Sequence, residues 1–83
     1  MMYDDEKREK AKLQEATGKF VGLMYNKLHK KVEQNWCGWD WEIKLPVLKR
    51  KLKAHVKKGY DNENLIDIAN FCMMIYLLQA KGK

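Results

Sequence analysis

Residues Asp61–Leu78, DNENLIDIANFCMMIYLL, decide the fold. Asp61 is a favourable N-cap, because its carboxylate can accept from the unpaired amides of a first helical turn. Glu63 suits the positive end of the helix dipole. From Leu65 onward apolar residues occupy nearly every helical face, so the segment is expected to be a helix buried on all sides. Working outward, a chain of 83 residues is one domain, 1–83, with room for a single core. Helices of ordinary length in so short a chain can scarcely enclose this one. The expectation is an all-α fold, a small bundle of three to four helices completed by dimerisation. Cover by the N-terminal helix alone is the alternative.

Upstream, Pro46 has the fixed φ of a first helical turn. Leu48, Leu52 and Val56 follow at four-residue steps. Lys49, Arg50, Lys51, Lys53, Lys57 and Lys58 fill the other faces, and Gly59 offers a C-terminal cap. This reads as a short amphipathic helix with a basic exterior. Further back, Tyr3 to about Glu33 is rich in helix formers. Ala11, Leu13, Ala16, Phe20, Val21, Leu23, Met24, Leu28 and Val32 recur there at three- and four-residue steps. Gly18 interrupts the run and costs about 1 kcal/mol relative to Ala in a helix interior. The segment is either one helix with a weak point or two helices meeting at Gly18. Residues 1–10 are mostly polar and are expected to fray or project, and Lys81 to Lys83 to fray. Residues 34–45 form a Trp-rich connection containing Trp36, Trp39, Trp41 and Gly38. The three rings either cap the end of the core or form a stacking platform for a base or a partner side chain.

The formal net charge of +6 is concentrated between Lys44 and Lys58. Such a field favours anionic partners: nucleotides, nucleic acid or an acidic protein surface. A solvated helix face is the plainer explanation. Cys37 and Cys72 stand in different segments and form no CxxC pair, which favours two free thiols in a reducing compartment. Cys72 lies in an apolar run, where a thiol acts as a small hydrophobe. The N-terminus is charged rather than apolar, and the longest apolar stretch, Phe71 to Leu78, falls far short of the roughly 20 residues that span a bilayer. The chain is expected to be soluble and cytoplasmic.

Asp67 is the residue in the apolar helix that needs a partner. Glu63, Asp67 and Asn70 share a helical face, and a carboxylate in such a place must meet a cation, a metal or hydrogen-bond donors. Lys53, His55 and Lys57 in the preceding helix are the nearest candidates in sequence. A structural ion pair between two helices is one reading, and a metal or phosphate site at Glu63 and Asp67 is the sharper one. Magnesium wants several converging oxygens, yet no ExxE pair lies on a helix in the middle of the chain. His29 and His55 are isolated, with no zinc spacing. No P-loop, glycine-rich phosphate fingerprint or Ser/His/Asp set is present.

Several residues carry a family likeness: Phe20, Met24, Lys27-Leu28, Asn35, Gly38-Trp39, then Leu48, Leu52 and His55, then Asp67-Ile68-Ala69-Asn70-Phe71-Cys72-Met73-Met74. This pattern resembles the phage-encoded MazG-like group, all-α nucleoside triphosphate pyrophosphohydrolases often labelled dATP/dGTP diphosphohydrolases. The likeness covers roughly Phe20 to Leu78 and is most specific at Asp67–Met74. It implies an oligomeric helical bundle with an acidic magnesium site for nucleotide phosphates, working in a host cytoplasm. The enzymes place an ExxE pair on one helix and an ExxD pair on the next. Asp67 matches the final acid. Asn64 stands three residues earlier, beside Glu63, and Arg50, Lys53 and Lys57 occupy the ExxE region.

These readings combine into a non-catalytic binding protein of phage or prophage type with a degenerate nucleotide-pyrophosphohydrolase-like fold. It is expected to act as a homodimer that binds an anionic ligand or a host protein, as an inhibitor of a host system would. Lys49, Arg50, Lys53, His55 and Lys57 would supply positive charge, and Trp36, Trp39 and Trp41 would stack. One alternative is a weak metal-dependent pyrophosphohydrolase using magnesium at Glu63 and Asp67. The other is a structural interaction protein or nucleic-acid-binding module.

Overall fold

The helix-forming N-terminal run folds as one continuous helix, α1 (Met2–Glu33), and Gly18 does not break it. The computed structural model describes the backbone of residues 2–81 and the side chains of residues 5–81. Met1, Gly82 and Lys83, at the ends expected to fray, lie outside the described residues. The rest of the polar N-terminal stretch is helix. Exposed ion pairs one turn apart, Lys10 to Glu6 at 3.0 Å and Lys12 to Glu9 at 2.9 Å, run along it. At about 1.5 Å per residue α1 spans nearly 50 Å, which accounts for the longest dimension of the chain, 51 Å.

α1 ends through Asn35, whose φ of +68° suits a residue that tolerates the left-handed region. The amide of Trp36 donates to Lys31 O and that of Asn35 to Val32 O, so two orphan carbonyls of the last turn are satisfied. This turn brings Trp36 back onto the core. A 3-10 turn at Glu42–Lys44 leads into α2 (Leu45–Lys58), with Pro46 in its first turn. Gly59, at φ +123°, closes α2 by donating its amide to Val56 O. α3 (Asn62–Lys81) is capped as its sequence requires: the amide of Asn64 donates to Asp61 Oδ1 and that of Leu65 to Asp61 O.

Among the described residues the result is a small all-α bundle of three α-helices. α2 and α3 form an antiparallel hairpin, and α1 runs in the same sense as α3. The core is Leu48, Phe71, Met74 and Leu78, with Leu28, Leu45, Leu52, Trp36, Trp39, Met73 and Ile75 packed round it.

Three expectations need correction. α3 is not buried on all sides within the chain: Ile66, Asn70, Phe71, Met74 and Leu78 face inward, while Leu65, Cys72, Tyr76 and Leu77 are exposed. Two neighbouring helices cover only part of its circumference. Cys72 is therefore an exposed free thiol rather than a core residue. On α2 the inward positions are Leu45, Leu48, Leu52 and His55, at three- and four-residue steps, and Val56 lies on the exposed side. No helix among the described residues is long and apolar enough to cross a membrane.

Candidate functional site

With the apolar edge of α2 fixed against α3, the helical repeat of about 100° per residue sets where its cations point. Lys49, Arg50, Lys53 and Lys57 fall on one outward sector, and all four are exposed. Lys51 and Lys58 lie on its flank. α2 contains no acid, and among the described residues no ion pair ends on any of these six cations. The four outward cations spread over about 12 Å of helix axis. Lys57 and Lys58 also sit at the negative end of the α2 dipole, which favours them there.

His55 is separated from this basic face. Its ring is half-buried against Phe71, with centroids 5.0 Å apart, and its Nδ1 lies 2.6 Å from Asn64 Oδ1. The Asn64 amide nitrogen is committed to His55 O and Gly59 O, so its oxygen is the atom turned to the ring. His55 therefore holds a proton on Nδ1 and donates it to Asn64. This residue couples α2 to α3 and does not share the lysines' exposure.

The three tryptophans separate as well. Trp36 and Trp39 are half-buried and pack on the core, and the Lys31 ammonium sits 5.6 Å from the Trp36 ring centre. Trp41 is 60% exposed, just before the turn that opens α2. Its ring lies beneath Gly38, where a Cβ would come within 3.3 Å of ring atoms. Gly38 also adopts a φ of +80°. The bare glycine thus lets the loop fold over the indole while the ring's far side faces solvent. Of the three rings, Trp41 is the one available for stacking.

Asp67 finds its cation in α1, not in α2. Lys27 Nζ lies 3.0 Å from Asp67 Oδ1 and donates to Glu63 O at 3.1 Å, while His55 Nδ1 is 3.9 Å from Asp67 Oδ2. The side chains of Asp67 and Lys27 are both largely buried. This carboxylate thus ties α1 to α3, while His55 of α2 is held to α3 through Asn64. Glu63 is exposed on the α3 rim. Among the described residues, no three His, Cys, Asp or Glu side chains converge as metal ligands would. A signal for Lys27 exists in the sequence: it continues the stripe Leu13, Ala16, Phe20, Leu23, and a cation on an apolar stripe calls for an acid on the facing helix.

Lys27→Met is expected to lower stability by roughly 1.5–3 kcal/mol, the value of a hydrogen bond to a charged group. The loss should shrink in an Asp67→Asn background, which leaves no carboxylate unpaired. Thermal melts of the four combinations read this coupling directly, and additive losses would show that the pair contributes nothing.

No protein-family model, curated protein or solved structure matches this chain. What the site does must therefore be argued from its geometry.

Two further features lie outside the basic face. Between α1 and the start of α3 runs an open groove of about 620 Å³, with Phe20, Leu23, Leu65 and Ile66 forming its apolar walls and Lys27, Lys30 and Glu63 its charged rim. Asn70 is buried, donates to Met24 O at 3.3 Å, and leaves its Oδ1 without a partner.

Proposed function

We propose that this chain is a non-catalytic binding module that presents the outer face of α2 to an anionic partner. The observation that carries the reading is the unneutralised sector Lys49, Arg50, Lys53 and Lys57 on a helix without acids. A plain solubilising surface mixes both signs of charge, as the first half of α1 does. A one-signed sector concentrates positive potential and attracts phosphates or carboxylates. Trp41 adds an exposed ring at the end of the connection, suited to a base or to an aromatic side chain of the partner.

The likeness to MazG-like pyrophosphohydrolases is consistent with a bundle that has kept its helices and exchanged a magnesium site for direct contact with anions. Asp67 supports this version of the reading, because its nearest oxygen is already engaged by Lys27. Arg50 and Lys53 would touch phosphate oxygens without a bridging metal, Arg50 through a planar fork and Lys53 as a point charge.

The test is binding of a labelled single-stranded oligonucleotide, and separately of a poly-glutamate peptide, across a salt series. The expected result is an affinity that falls linearly on a log–log salt plot. Lys53→Glu with Lys57→Glu should weaken it by about tenfold or more, corresponding to at least 1.4 kcal/mol. The preferred probe identifies the class of anion. Equal affinity of the double variant and the parent for both probes would sink the proposal.

A further inference from the structure

The projecting half of α1 and the groove at its base belong together. From Glu6 to Lys30 the residues Glu6, Glu9, Leu13, Ala16, Phe20, Leu23, Lys27 and Lys30 recur at alternating three- and four-residue steps. They form one seam of a coiled-coil heptad. Its centre is apolar, its N-terminal end acidic and its C-terminal end basic. Only the C-terminal part of this seam meets α3 within the chain. Leu13 is 65% exposed, and Phe20 and Leu23 line an open groove.

We infer that a second copy of this chain covers this seam, with the two α1 helices packed antiparallel about a two-fold axis near Gly18. The register follows from the sequence. In a two-fold contact each residue pairs reciprocally, and centring on position 18 sets Leu13 on the partner's Leu23 and Ala16 on the partner's Phe20. The same register places Glu9 on the partner's Lys27 and Glu6 on the partner's Lys30. Every apolar layer meets an apolar layer and every acid meets a base, with Lys27 shared between the partner's Glu9 and Asp67 of its own chain.

Sliding by one heptad destroys this match. One direction sets Leu13 on the partner's Lys30 and Ala16 on the partner's Lys27. The other sets Glu9 on the partner's Phe20 and Glu6 on the partner's Leu23. A parallel, in-register pair would stack Glu9 on the partner's Glu9 and Lys27 on the partner's Lys27. Charge therefore selects both direction and register, as complementary charges do in helix pairs.

The groove supplies the second wall. The partner's Leu13 and the partner's Ala16 would lie along Leu23 and Phe20 with Leu65 and Ile66 of α3 beside them, giving a four-helix contact about 36 Å long. Gly18 and Gly22 fall on the opposite side of α1, where a Cβ would meet nothing within 4 Å. At the centre Lys19 approaches the partner's Lys19, and Glu15 of its own helix lies 4.0 Å from each. This proposal does not depend on the anion-binding role of α2, since the two surfaces share no residue.

Sedimentation equilibrium of the full chain tests it. A dimer is expected at about 100 µM, with Leu13→Asp/Ala16→Asp monomeric at that concentration. Neither residue packs on the core, and unchanged fluorescence of Trp36 and Trp39 at the far end of the bundle confirms folding. Lys30→Glu should weaken the dimer by about tenfold, and Glu6→Lys in the same chain should restore it. Direction is read by crosslinking in a Cys37→Ser/Cys72→Ser background. A mixture of Leu13→Cys chains and Leu23→Cys chains should form a mixed disulfide, whereas each alone should not. A monomeric parent, a dimer indifferent to Leu13→Asp/Ala16→Asp, or crosslinking of Leu13→Cys with itself would each overturn the inference.

Discussion

Met74→Ala is expected to remove much of the stability of the fold. Met74 is only 2% exposed, between Leu48, Phe71 and Leu78, where α2 and α3 meet, with Leu28 and Trp36 closing in from α1 and its turn. Truncating a buried methionine removes its transfer free energy and leaves a cavity, together roughly 2–5 kcal/mol. A domain of this size commonly has only about 3–5 kcal/mol in total. The variant should melt roughly 10 °C or more below the parent, because about 1 kcal/mol shifts the midpoint of so small a domain by 4–8 °C. Tyr76→Ala on the same helix is the control. Tyr76 is 71% exposed on the outer face of α3, so its loss should stay within about 0.5 kcal/mol. A Tyr76 variant less stable than the Met74 variant would mean that the inner and outer faces of α3 have been exchanged.

That comparison concerns the point on which the sequence is least informative. In Leu65–Leu78 apolar residues fall on every face, so the helical period carries no phase. Which half faces inward is decided by what α2 and the base of α1 can reach, a tertiary fact. Local signals read cleanly by contrast. Asp61 caps α3, Gly59 closes α2 and Pro46 opens it, because each acts through its own backbone neighbours. α1 stays whole across Gly18 because the penalty of one glycine is small against a helix this long.

The site divides along the same line. The exposed lysines of α2 follow from the sequence once Leu48 and Leu52 are placed inside. His55 is the exception. As a residue type it fits either face, and only its neighbours Asn64 and Phe71, brought in by the hairpin, decide for the interior. The partner of Asp67 is only half legible: Lys27 interrupts the apolar stripe of α1, but it lies forty positions earlier, and proximity in sequence favours Lys53 and Lys57. Trp36 and Trp39 serve the core and Trp41 does not. The glycine at position 38 marks the loop that separates them.

Asn64→Asp is expected to damage the protein more than Asn64→Ala, although the aspartate is closer in shape. Asn64 is 5% exposed and acts at four points: its amide nitrogen donates to His55 O and Gly59 O, its oxygen accepts from His55 Nδ1, and its backbone amide donates to Asp61. Alanine leaves two carbonyls and one ring N–H without partners, at roughly 1–3 kcal/mol for each that water cannot reach. Aspartate keeps the acceptor for His55 but turns its second oxygen on both carbonyls. It does so at the C-terminal, negative end of α2, with Asp61 and Asp67 close by in sequence. Aspartate therefore leaves the same two carbonyls without donors and adds a buried charge facing them, roughly 3–5 kcal/mol more. Under the proposed MazG-like reading, position 64 is where an acid partnering Asp67 would stand. Placing an acid there should open the α2–α3 hairpin before it could hold a cation. Melts of both variants, with and without about 10 mM magnesium, decide the matter, since a bound ion would raise the midpoint by linkage. The aspartate variant should melt below the alanine variant, and magnesium should raise neither. An aspartate variant that magnesium stabilises would instead show that this position can still hold a metal ion.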